Sequence, residues 1–119
     1  MKVYISGPMT GKPGLNFPAF HAAAAELRAL DVGHTVGWGG IQVVNPADLN
    51  PDPNTSWREC MATDIKALVD CDTVLMLPGW LESRGASLER KIAIRLGMLV
   101  FYDIGALRAY VAQQMEQAA

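Results

Sequence analysis

The chain has 119 residues, a formal net charge of -2 and half its residues hydrophobic. That length suits one domain, residues 1–119, with a core of its own. The charge balance gives no broad basic surface for duplex nucleic acid. No apolar run is long enough to span a bilayer, and the N-terminus reads as a strand rather than a cleavable leader, so a cytoplasmic protein with no membrane partner is expected.

Lys2 to Ser6 reads as a first strand, followed at once by Gly7-Pro8-Met9-Thr10-Gly11. Asn16 before Phe17-Pro18 is an N-cap with Pro in the first turn. From Pro18 to Leu30, Phe20, Ala24, Leu27 and Leu30 repeat at helical spacing. Asp31 to Gly40 is Gly-rich and ends that helix. Ile41 to Val44 reads as a second strand, stopped by Asn45-Pro46. Residues 45–56, with Pro46, Pro51 and Pro53, read as a loop. Ser56 and Glu59 form a capping box for a helix through Asp70. Thr73 to Leu77 is a continuous apolar run that suits a strand buried on both faces. A helix then runs from Ser83–Gly85 to Leu96, with Gly97 as its stop. Met98 to Tyr102 reads as another buried strand, and a last helix covers about Ala106 to Gln117.

Strand and helix alternate throughout. This pattern predicts an α/β fold: a three-layer, Rossmann-like (flavodoxin-like) sandwich around a mostly parallel sheet of four to five strands. In such sheets ligands bind beyond the carboxyl ends of the strands. Gly7–Gly11, Asn45–Asp48, Pro78–Gly85 and Asp103 fall on that edge.

The first loop is neither a P-loop nor a dinucleotide fingerprint, because three residues separate Gly7 from Gly11 and Lys12 is followed by Pro13. It is a tight turn, a wall for a ligand, or both. Glu89 falls in the first turns of its helix, where unpaired N–H groups and the helix dipole favour an ionised carboxylate able to act as a nucleophile. Gly85 allows close approach to the backbone. Asp64 falls on or beside the apolar stripe of its helix, a costly place for a carboxylate unless it is paired or used; protonated, it could donate to a leaving base. Asp72 suits a cap or turn before the third strand. Cys60, Cys71, His21 and His34 lack metal-ligand spacing, and the two cysteines read as ordinary thiols. The Asn54-Thr55-Ser56 sequon carries no meaning without an export signal.

Five stretches in this order, VYISGPMTG, NFPAFHAAAAELRALD, VVNPADL, TDIKALVDCDTVLMLPGW and SRGASLERKIAIRLGMLV, resemble the nucleoside 2-deoxyribosyltransferase superfamily. That superfamily includes the deoxynucleoside 5′-monophosphate N-glycosidases. The likeness reaches to about Tyr102 and is greatest to a phage- and bacteria-associated branch of uncharacterised proteins. The resemblance implies Glu89 as the nucleophile at the anomeric carbon, Tyr4 as the residue that orients it, and Asp64 as the aid to base departure or the holder of sugar hydroxyls. It also implies Ser6, Gly7 and Met9 bordering the ligand, with Ser83 and Gly85 lining a sugar or phosphate pocket. Ser83 stands where the transferases have an acid and the monophosphate glycosidases have Ser, which favours a phosphorylated substrate. Trp80 would offer a stacking face for a base or serve as an interface aromatic; Arg84, Arg90 and Lys91 would attract phosphate or form a solvated helix face.

The implied partners are a small-molecule nucleoside or nucleotide and further copies of the chain in a homo-oligomer. The implied chemistry uses no metal and no other cofactor. Asp31 to Ile41, around Gly37-Trp38-Gly39-Gly40, departs from the pattern as an insertion. Two other readings stand beside this one: a nucleotide-binding module without turnover, and a flavin carrier, against which the first loop lacks a Ser/Thr-rich phosphate cradle.

Overall fold

The computed structural model describes residues 1–30 and 40–118. Four strands, β1 (Lys2–Ser6), β2 (Gln42–Val44), β3 (Thr73–Met76) and β4 (Leu99–Phe101), form one sheet in the order β2-β1-β3-β4. All neighbours are parallel, with Val3 opposite both Val43 and Thr73, and Val74 opposite Val100. The helices are α1 (Phe17–Ala29), α2 (Pro46–Leu49), α3 (Trp57–Leu68), α4 (Arg84–Arg95) and α5 (Ile104–Ala118). The expected α/β sandwich is therefore present, with four strands and every pairing parallel.

Two cores follow from the alternation of β1. Val3 and Ile5 point to one face and pack with Phe20, Ala24 and Leu27 of α1 and Leu107 and Val111 of α5. Tyr4 points to the other face and packs with Leu68 of α3 and Ala86 and Ala93 of α4. Side chains two apart share a face of a strand, so Tyr4 and Ser6 look the same way. The chain leaves β1 for β2 on one side, then crosses back to β3 on the other. Right-handed crossovers in opposite directions place α1 and α3 on opposite faces. The order β2-β1-β3 also puts the topological switch point between β1 and β3.

Several local expectations need correction. Residues 45–56 are not all loop: Asn45 caps α2 by accepting from the Ala47 N–H at 3.0 Å, with Pro46 in the first turn. Asn45-Pro46 stops a strand and starts a helix at once. Asn16 does precede α1, but it adopts φ 61° and makes no side-chain cap; its amide donates to the Pro8 carbonyl at 2.9 Å instead. β4 is an edge strand, and Leu99 is exposed rather than buried. α5 starts at Ile104 because Asp103 accepts from the Ala106 N–H at 2.8 Å.

Other expectations match. Ser56 caps α3 through the Glu59 N–H at 3.2 Å. Asp72 ties the strand starts together, accepting from the Lys2 N–H at 3.1 Å and the Thr73 hydroxyl at 2.7 Å. Cys60 and Cys71 are free thiols. Among the described residues no helix is long and apolar enough to cross a membrane. The insertion read at Asp31 to Ile41 lies, for residues 31–39, outside the described residues, as does His34.

Candidate functional site

Two helices carry carboxylates on their core-facing stripes. On α4 the buried positions are Ala86, Glu89 and Ala93. Small alanines on either side bring the helix close to the sheet and leave Glu89 as the long side chain reaching β1. On α3 the buried positions are Met61, Asp64 and Leu68. The same helical period that builds the core thus places both acids inside it.

Glu89 is 5% exposed. Its Oε1 accepts from the Ser6 hydroxyl at 2.7 Å, and its Oε2 accepts from the Tyr4 hydroxyl. One strand face therefore supplies a donor to each oxygen. Asp64 is 6% exposed, and its Oδ1 accepts from the Asn50 amide at 2.6 Å. Asn50 spends its other amide proton on the Pro46 carbonyl at 3.2 Å, so the C-terminal end of α2 is what fixes Asp64.

Burial governs the charge of both acids. Loss of water pushes Glu89 from an ordinary 4.5 up to about 7, against the pull of the Tyr4 and Ser6 donors, with Asp64 adding like-charge repulsion. Burial also raises Asp64 from 3.8 to about 6, against the Asn50 donor. Glu89 sits in the second turn of α4, past the first-turn N–H groups. The ionising effect expected from the helix end is outweighed there by desolvation. Burial and the adjacent Glu89 charge hold the Tyr4 hydroxyl well above its ordinary 10, so it remains a donor.

Tyr4, Gly7, Met9, Asp64, Ser83, Gly85 and Glu89 line one cavity of about 290 Å³ over the switch point between β1 and β3. This is at the lower end for small-molecule sites, roughly 300–1,000 Å³. Ser6 lies behind Glu89 and is fully buried. Ser83 caps α4 by accepting from the Ala86 N–H at 3.2 Å, which leaves its hydroxyl proton to donate. Two glycines are there for closeness. A Cβ on Gly7 would lie 2.8 Å from the Leu77 Cβ, and one on Gly85 would lie 3.1 Å from the Met61 sulfur. The loop after β1 turns through the left-handed region at Gly14, Leu15 and Asn16, with φ of 59°, 54° and 61°. The last two carry Cβ penalties of about 1 kcal/mol each, and the turn sets Leu15 into the cavity wall.

Trp80 does not line this cavity. It lies 5.6 Å from the Tyr102 ring, with the Arg90 guanidinium 5.0 Å above it, and Arg90 donates to the Tyr102 hydroxyl at 2.8 Å. The tryptophan that does line the cavity is Trp57, at the start of α3, with the Arg84 guanidinium 3.7 Å from its ring centroid; Tyr4, Phe17 and Phe20 line it as well. Sequence reasoning missed Trp57 and Asn50. The first was findable: positions 57, 61, 64 and 68 form one helical stripe, so a ligand at Asp64 is within reach of Trp57 and Met61. Nothing in the sequence marks Asn50, whose role depends on the small turn of α2.

Among the described residues no group of three or more His, Cys, Asp or Glu side chains could hold a metal ion. The cavity offers a nucleophilic or proton-transferring carboxylate pair with hydroxyl donors. No curated protein matches the chain. A family model does match residues 1–102, which carry all four strands and both buried acids, and the chain belongs to the family that it describes, Domain of unknown function (DUF4406).

Proposed function

We propose that this chain cleaves the N-glycosidic bond of a deoxynucleoside or deoxynucleoside 5′-monophosphate, or transfers its 2-deoxyribosyl group, with Glu89 as nucleophile. One observation carries the reading. A buried carboxylate at the base of a small-molecule cavity has each oxygen held by its own hydroxyl, and a second buried carboxylate shares the cavity. The sequence resemblance to the deoxyribosyltransferase superfamily supports the same assignment.

A Glu89 oxygen attacks the anomeric carbon as the bond to the base breaks. The bonding pair leaves with the base, which takes a proton from Asp64; the reactive form is the minor singly ionised state, with Glu89 ionised and Asp64 protonated. The glycosyl-enzyme ester is then opened by water, or by a nitrogen of a second base, with Asp64 receiving the proton. Two carboxyl groups, one nucleophilic and one acidic, are the general solution for an oxocarbenium-like transition state. Tyr4 and Ser6 fix the attacking group and spread its charge. Gly7, Met9 and Gly85 bring backbone close to the sugar, and Ser83 offers its hydroxyl to a sugar or phosphate oxygen. This route requires no metal and no redox cofactor. The reading includes a cytoplasmic homo-oligomer acting on a small molecule.

Purified protein incubated with deoxynucleosides and their 5′-monophosphates, with and without a free acceptor base, tests it by chromatography. Base release that disappears in Glu89→Ala supports the proposal; activity that survives this substitution sinks it. Tight binding with no release assigns the pocket to a binding module instead.

A further inference from the structure

The cavity does not end at Ser83. A second concavity of about 660 Å³ opens beyond it. Thr10, Trp57, Ser83 and Gly85 line both, so the two adjoin at a shared wall. The chemistry reverses across that wall. The inner part holds the two buried acids. The outer part brings together Lys12, from the loop after β1, and Arg84, from the start of α4, with Glu82 as its one acid. Neither Lys12 nor Arg84 is ion-paired among the described residues. The Arg84 guanidinium instead lies 3.7 Å over the Trp57 ring, a contact that holds a guanidinium without neutralising it.

We infer that the outer concavity binds the phosphate chain of the substrate beyond its first phosphate, so that the ligand class is a nucleoside 5′-di- or polyphosphate. The inference rests on the reading that the anomeric carbon meets Glu89. With the sugar there, the way out past Ser83 and Gly85 leads toward Lys12 and Arg84. The hydroxyls of Thr10 and Ser83 at the shared wall suit the first phosphate. The two cations beyond it suit the next. The cationic outer end orients an anionic substrate before chemistry starts.

Calorimetric binding to the Glu89→Gln protein separates this inference from the reaction itself. The probes are deoxynucleoside 5′-mono-, di- and triphosphates of the four common bases, with pyrophosphate alone as a fragment. The diphosphate is expected to bind about tenfold more tightly than the monophosphate, the gain of one charge-assisted contact. That increment falls to about twofold or less when Lys12 and Arg84 are both changed to Ala, shrinks with added salt, and grows in Glu82→Gln. Lys12, Arg84 and Glu82 are exposed, so these variants fold, as their melting curves would verify. A monophosphate that binds as tightly as the diphosphate overturns the inference. If the wild-type protein also cleaves that monophosphate, the proposed reaction stands while the polyphosphate site falls. If no nucleotide binds and none is cleaved, both fall.

Discussion

Glu89→Gln should make the protein more stable at pH 8 and leave it nearly unchanged at pH 5. In the folded state burial raises Glu89 from 4.5 to about 7, so the native protein holds this proton more firmly than the unfolded chain does. The associated stability is complete below pH 4.5, declines as the pH rises through 7, and is gone above that. Each pH unit between the two values is worth about 1.4 kcal/mol, so the interval amounts to about 3 kcal/mol of strain in the ionised native state at pH 8. Glutamine keeps the shape, and its amide can still meet the Tyr4 and Ser6 hydroxyls, but it never ionises. For a chain of this size, about 3 kcal/mol corresponds to a melting temperature higher by roughly 10 °C. Melting of both proteins by circular dichroism between pH 4.5 and 8.5 is the assay. The two curves should meet near pH 5 and diverge toward pH 8. Curves that run parallel across this range, or a variant less stable than the parent at pH 8, would refute the claim that burial dominates the Glu89 environment.

Other perturbations address neighbouring parts of the site. Tyr4→Phe removes a donor that lowers the Glu89 pKa, so the acid limb of any glycosidase profile should move to higher pH. Activity at pH 7 should drop roughly 10- to 100-fold, as expected for a hydrogen bond to a charged group; an unmoved limb counts against the contact. Asn50→Ala removes the donor to Asp64, so the Asp64 carboxyl should titrate above its present value of about 6. Carbon-detected NMR of labelled aspartate reads this directly, and a downward shift would reverse the argument. Gly7→Ala forces a Cβ against the Leu77 Cβ at 2.8 Å and should cost about 1–3 kcal/mol of stability by the overpacking rule. A urea midpoint equal to that of the parent would show that the loop yields freely.

What could be read in the sequence was what depends on short range. The apolar run at Thr73, the Ser56 cap and the strand–helix alternation each act over a few residues, and together they lead to a parallel sheet. Asn45-Pro46 shows the limit of local signals, because the same pair ends a strand and begins a helix. Asn16 shows another: an Asn before Pro-containing first-turn residues is a good cap, yet here its amide is drawn to the Pro8 carbonyl by a loop running through the left-handed region. The burial of β4 was over-read because an apolar strand at a sheet edge has the same composition as a central one. Trp80 had two readings, a stacking face for a base or an interface aromatic; its ring packs beside Tyr102 and Arg90, while Trp57 lies on the stripe that already contains Asp64. The charge state of Glu89 was misread for the same reason: the helix end is visible in the sequence, and the burial that outweighs it comes from β1, 85 residues away in the chain.

The two acids also explain why such a site would be tolerated. Both carboxyls are desolvated and the Asp64 charge raises the cost of ionising Glu89, so the pair holds less than its full negative charge near neutrality. Under the proposed reaction the sugar develops positive charge beside Glu89. That charge favours the ionised carboxylate for the same electrostatic reason that its absence disfavours it. The strain of about 3 kcal/mol carried by the ionised Glu89 is then relieved as the cation forms. An interaction stronger in the transition state than in the ground state is the kind that accelerates a chemical step. The pattern requires that Glu89→Gln gain stability and lose activity together. A variant that lost activity without gaining stability at pH 8 would separate the two and leave Glu89 as an ordinary buried, hydrogen-bonded acid.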